Sequence, residues 1–154
     1  MGNITKDLKK DRDRKRCNAI KELLEVHGIN LQLIDEYKKD INEQKEKATC
    51  IRSSLSNASP FKGAVIAKDD MLIKALDKVK DLESELKATK EEVQKIKKAI
   101  KSINDSLAKS IIMRVWVYRS DSLRALANEY GISKDTVWRK SDVALLSLYK
   151  KLIK

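Results

Sequence analysis

Histidine occurs once in this sequence, at residue 27, and cysteine twice, at 17 and 50, with no CxxC or HxxxH spacing. A four-ligand zinc site therefore lacks its usual soft ligands, and both cysteines read as reduced thiols. Four glycines and one proline leave little material for the tight turns of an antiparallel sheet, and aromatics are only 5% of the chain. The fold class expected is all-α: a long coiled-coil helix with a C-terminal helix-turn-helix domain. Long apolar runs are missing too, since the richest, IIMRVWVY, is short and carries Arg114, so no bilayer span is expected. No secretory apolar region follows the basic N-terminus, and Lys6 stands where a myristoylation signal needs Ser or Thr, which predicts a cytoplasmic protein without a membrane partner. A glycine-rich phosphate loop is absent and the carboxylates are spread as helix-surface charge. These absences predict no enzyme, no catalytic residue, no cofactor and no metal.

What the sequence does hold is charge: 37% of the 154 residues are Asp, Glu, Lys or Arg, with a net +11. Such an excess implies an anionic partner, with nucleic acid, an acidic protein and a membrane surface as the candidates. It is concentrated at the ends, +4 over residues 1–16 and +5 over 111–154, against 0 over 17–64 and +2 over 65–110.

Residues 1–16 have only Ile4 and Leu8 as large apolar side chains, so a basic flexible arm is expected, either a solvated tail or a phosphate-contacting one. N-terminal helices should fill 17–55. Ile20, Leu23, Leu24 and Val26 suggest a short helix closed at His27-Gly28, with His27 a capping or surface residue. Asn30 would cap a second helix carrying Ile34, Tyr37, Ile41, Ala48, Ile51 and Leu55 on one stripe. The run SSLSNASPFKG, with Pro60 and Gly63, marks a connector at 56–68.

Residues 69–110 carry the most regular pattern. Leu72, Val79, Leu86, Val93, Ile100 and Leu107 repeat every seven residues, and Ala75, Leu82, Thr89, Ile96, Ile103 and Ser110 form the second row of a coiled-coil seam. Some 40 residues of helix extend about 60 Å, too long for the core of so small a domain, so the seam needs a partner. A second chain is one option: in a parallel homodimer Lys78–Glu83, Glu85–Lys90 and Glu92–Lys97 would all meet with opposite sign across the interface, through Leu72, Val79, Leu82, Leu86, Val93, Ile96, Ile100 and Ile103. The other is the preceding helix of the same chain folding back as a hairpin.

The last segment, 111–154, opens with Ile111, Ile112, Val115, Trp116 and Tyr118, dense enough for a compact core. Arg119-Ser120-Asp121 ends that helix. Ser122 can cap the next, which would bury Leu123, Leu126, Ala127 and Tyr130; Gly131 permits a conformation that a β-carbon opposes; and Ser133 can cap a final helix with Val137, Ala144, Leu145 and Leu148 inward. This is helix-turn-helix spacing, and it predicts a DNA-binding domain. Ser133, Lys134, Asp135, Thr136, Trp138 and Arg139 then lie where a recognition helix reaches base edges, Arg139 being suited to guanine O6 and N7. Lys134, Lys140 and Arg124 suit phosphate, and Trp138 suits either the core or a sugar or thymine-methyl contact.

GISKDTVWRKSDVAL resembles the GVSxxTVxxRxxxAL pattern of bacterial sigma-factor region 4. With its Ser-rich connector, DLESEL-type long helix and terminal module, the chain from about residue 30 onward is similar to late-gene transcription regulators of phages of Gram-positive bacteria, the RinA and ArpU types. It departs from that pattern where Ser141-Asp142 replaces the usual apolar and basic pair, and where Arg119-Ser120-Asp121 shortens a loop. The resemblance implies binding to double-stranded promoter DNA at the host nucleoid, activation of late and packaging genes, and contact with bacterial RNA polymerase. Two other classes share these features: a terminase small subunit, which joins a helix-turn-helix to oligomerising helices, and a coiled-coil adaptor that binds protein only.

Overall fold

The computed structural model describes residues 2–56 and 62–153, and these are all helical segments and short connections, with no strand among them. The elements are α1 (Gly2–Ser56), α2 (Lys62–Lys101), α3 (Ser106–Ile111) running on into a π-helical stretch (Ile112–Val117), α4 (Leu123–Tyr130) and α5 (Lys134–Leu152). None of the described helices is long and apolar enough to cross a membrane. The chain forms two compact units, a middle one of Leu31–Glu91 and a terminal one that joins Met1–Asn30 to Glu92–Lys154.

In the middle unit α1 and α2 lie antiparallel. Ala48, Ile51 and Ala75 are buried together, flanked by Leu55, Leu72 and Leu76, and the small alanines let the two helices approach closely. Lys68 donates to the Ser54 hydroxyl at 2.6 Å, and Lys45 lies 3.5 Å from Glu83. Exposed pairs of this kind contribute at most about 1 kcal/mol, so the apolar contact holds the hairpin and the charges trim its edge.

This arrangement is the hairpin, the second of the two partners expected for the seam. Within the single chain Val79, Val93, Ile96, Ile100 and Ile103 are buried, and Leu72, Leu82 and Leu86 are half-buried. Glu83, expected to face Lys78 of a second copy, meets Lys45 of its own chain. A heptad stripe specifies an apolar partner, and a neighbouring helix with its own apolar stripe satisfies that need at far higher effective concentration than a second molecule. The connector expected at 56–68 is shorter: α2 is already helical at Lys62, and residues 57–61, with Pro60, lie outside the described residues.

The terminal unit brings three further revisions. Residues expected as a flexible arm are the first turns of α1. They carry Asp7–Lys10, Lys9–Asp13 and Asp11–Lys15 at helix-favouring spacings, and extending a helix that is already docked from Cys17 onward requires no new nucleus. Nor does α1 stop at His27-Gly28. Cys17, Ile20, Leu24 and His27, spaced three, four and three, form its buried face, so His27 is a core residue rather than a cap. Burial, and then the charge of Lys97, lower the His27 pKa and keep the ring neutral. Gly28 matters for a different reason from the one expected: a β-carbon there would run into the Val117 carbonyl oxygen, so glycine allows the two backbones to touch.

The third revision concerns α2, which ends at Lys101 instead of running to 110. Ser102 turns its hydroxyl back to the Ala99 carbonyl at 2.6 Å, and Asp105 then caps α3 by accepting from the amides of Leu107 (3.0 Å) and Ala108 (3.4 Å). Short polar side chains that compete for backbone bonds favour such a break over continued helix. Ile103 is still buried, so the break redirects the chain without releasing the apolar stripe.

Two consequences can be measured. Gly28→Ala should lower the melting temperature, because the clash with Val117 outweighs the roughly 1 kcal/mol that alanine gains over glycine in a helix; a raised melting temperature would show that the contact yields. Ile96→Asp should destabilise the chain by about 3 kcal/mol or more through a buried unpaired carboxylate. If that variant instead stays fully helical and halves its light-scattering mass, the stripe is an intermolecular seam after all.

Candidate nucleic-acid interface

The front of α5 is built by local chemistry at both sides of a tight turn. Ser122 caps α4 by accepting from the Ala125 amide at 3.0 Å, and α4 buries Leu123, Leu126 and Ala127 while Tyr130, expected inside, stays largely exposed. Gly131 ends the helix in the left-handed region with φ 66°, where its own amide and that of Ile132 return to carbonyls of the last turn, Ile132 to Ala127 at 3.1 Å. Ser133 then caps α5 by accepting from the Thr136 amide at 3.2 Å, and its hydroxyl also meets the Thr136 hydroxyl at 2.7 Å. These caps, made within the turn itself, fix where α5 begins and the direction it takes.

Its rotation is set by the core. Val137 is fully buried in a cluster with Ile111, Val115, Leu123, Leu126 and Ala127, and Trp116 and Ile132 pack against it. One turn on, Ser141 is also buried and accepts a 3.0 Å hydrogen bond from the Trp116 indole N–H. The residue that departs from the sigma-like pattern is thus the acceptor for a tryptophan on the π-helical stretch. With Val137 and Ser141 inward, Lys134, Asp135, Trp138 and Arg139 face solvent on the first two turns.

Each expected site residue can now be placed. Ser133 and Thr136 are exposed but engaged with each other at the cap. Lys134 sits over the Trp138 ring, 4.8 Å from its centroid, and Trp138 is 41% exposed, so it is not a core residue. Asp135 occupies the first turn, where a negative charge suits the helix dipole and opposes phosphate. Arg139 is exposed and borders a cleft shared with Ser102, Asp105 and Val143. Lys140 is paired with Asp105, and that contact, helped by the Ala108 and Leu107 amides, holds the Asp105 carboxyl below its ordinary range. Lys140 is therefore the least available of the expected phosphate contacts. Arg124 is exposed on the first turn of α4.

Behind this surface a set of polar contacts fixes the approach to α4. The Arg114 guanidinium bridges Asp121 (2.8 Å) and Glu129 (2.7 Å), which raise its pKa still further. Its carbonyl accepts from the amides of Ser120 (2.9 Å) and Asp121 (3.2 Å), with Arg119 just before them in the left-handed region at φ 52°. Arg119 in turn reaches Glu25 on α1 at 3.2 Å. Sequence reasoning missed a further neighbour of α5, namely α1. The Cys17 thiol lies against the Asp142 carbonyl at 4.0 Å, Arg16 sits over Tyr149 and Lys21 over Trp116. Burial, and then the Asp142 charge, raise the Cys17 pKa, which leaves a protonated thiol. The signal for this contact was the 17, 20, 24, 27 spacing, which outlines one helix face.

No protein-family model, curated protein or solved structure matches the chain.

Ser141→Ala should cost about 1–3 kcal/mol, because it leaves the indole N–H without its acceptor. A double-mutant cycle with Trp116→Phe should show coupling of about 1 kcal/mol by thermal or urea unfolding; zero coupling would mean that the bond does not hold α5 in its rotation.

Proposed function

We propose that the protein is a sequence-specific DNA-binding transcription regulator that reads promoter DNA through a helix-turn-helix made by α4, the Gly131 turn and α5. The observation that carries this reading is the exposed front of α5, where Lys134, Trp138 and Arg139 face solvent while Val137 and Ser141 lock the opposite face. The major groove is about 12 Å wide and admits one α-helix entering by its N-terminal end. In that pose Arg139 reads guanine through two hydrogen bonds, Trp138 offers an apolar edge to a sugar or thymine methyl, and Lys134 and Arg124 meet phosphate.

The likeness of GISKDTVWRKSDVAL to sigma region 4 supports the same reading, and with it a role like that of RinA- and ArpU-type regulators: activation of phage late and packaging genes in a bacterial host, with contact to RNA polymerase. A palindromic operator would call for a second copy. Leu72, Leu82 and Leu86 of the α2 stripe are only half-buried, and a coiled-coil homodimer would pair through them.

Arg139→Ala should weaken binding to the site enriched from a randomised duplex pool by about 1–3 kcal/mol, and binding to random duplex far less. Anisotropy titrations at one salt concentration measure both. Equal losses on the two duplexes would remove Arg139 as a base reader, and no binding to any duplex would leave the adaptor reading in its place.

A further inference from the structure

α1 and α5 meet in the terminal unit. Lys10 and Arg14 of α1 line the same groove as Trp138 of α5, the Cys17 thiol lies against the Asp142 carbonyl, and Arg16 sits over Tyr149. The groove between them is lined by Lys10, Arg14 and Lys21 from α1 and by Trp138, Asp142 and Leu146 from α5, with Asp13, Cys17 and Asn18 completing its α1 wall. Its three cations outnumber its two carboxylates. Lys10 and Arg14 are exposed, and neither forms an ion pair among the described residues.

The lateral position of this groove decides what it can meet. Trp138 is shared between the groove and the exposed front of α5, so whatever lies across that front also lies across the mouth of the groove. Ahead of Lys10, α1 continues back to Gly2, about 12 Å of helix at 1.5 Å per residue, with Lys6 and Lys9 in that stretch. Lys6, Lys10 and Arg14 recur every four residues and so share one face. A duplex carries a negative charge every 1.7 Å or so of its axis, and a row of helix-borne cations beside an inserted helix meets its phosphate ridge.

We infer that the N-terminal turns of α1 form a second phosphate-contacting surface for duplex DNA, centred on Lys10 and Arg14 and continuous with the front of α5 across Trp138. The inference rests on the DNA-binding reading of α5 and adds to it a sequence-independent clamp on the flank of the recognition helix. This clamp supplies affinity and salt dependence, and leaves base choice to Arg139.

The test is the salt dependence of duplex binding by the full chain, measured by fluorescence anisotropy from 50 to 300 mM KCl on the enriched site and on random duplex. Lys10→Gln combined with Arg14→Gln should make the slope of log K against log salt shallower by about 2 on both duplexes, with a loss on the order of tenfold or more at 0.1 M and no change in the preference between them. Both side chains are exposed and glutamine keeps the helix, so melting temperature should hold. A matched control, Lys87→Gln with Lys90→Gln on α2, should leave the slope alone. If wild type binds DNA and the α1 variant keeps its slope, or the control loses as much, the clamp does not exist. If the slope holds but binding to polyglutamate is lost, the surface belongs to an acidic protein instead. Failure of wild type to bind any duplex would overturn the reading of α5 itself, and that result is distinct from the others.

Discussion

The contact on which the terminal unit depends is the one between the backbones of α1 and the π-helical stretch at Gly28 and Val117. A side chain at residue 28 would hold the two apart, and α1 could then no longer bring Cys17, Ile20, Leu24 and His27 into the core. From that contact a chain of consequences runs to the surface. Val117 lies beside Trp116, Trp116 lies under Lys21 and donates to Ser141, and Ser141 sets which way α5 is turned. A glycine on one helix thus governs the presentation of Arg139 on another.

Two sets of cations in the terminal unit differ in what they meet. Arg114, Arg119, Lys140 and Lys151 are engaged with Asp121, Glu129, Glu25, Asp105 and Ser102, and all of these contacts tie loops or helix starts to neighbouring elements. Lys134, Arg139, Lys10 and Arg14 have no carboxylate partner among the described residues; Lys134 sits over Trp138, Arg139 follows it in the chain, and Lys10 and Arg14 line the groove that Trp138 also lines. Charge paired with a carboxylate, as at Arg114, Arg119 and Lys140, is compensated where it sits, whereas uncompensated charge raises the local potential and attracts a polyanion. The net +11 alone does not make that distinction, since both groups contribute equally to it.

Much of the candidate site was legible because its signals are local. Ser122, Gly131 and Ser133 each act on backbone groups within a few residues of themselves, so their roles as cap, left-handed turn and cap could be read from the chain. The inward positions Val137, Ala144, Leu145 and Leu148 followed from helical period alone. Trp138 resisted such reading, because period places it at the edge of the stripe and only the position of α1 decides what covers it. Ser141 looked like a departure from a pattern, and its meaning needed Trp116, twenty-five residues away. Gly28 was read as a helix end because glycine commonly ends helices, yet here its value is the space it leaves.

By itself the sequence determined the all-helical class, the caps and turn around α4 and α5, the apolar stripes, and a basic surplus at both ends, since each of these follows from interactions within a turn or two of helix. The tertiary structure alone decided which stripe covers which: α1 against α2 in the middle unit, and α1 against the C-terminal helices in the other. Apolar burial is non-directional, so a stripe of Ile and Val states that it must be covered without stating by what. The choice of partner is made only when the whole chain competes for the same surface.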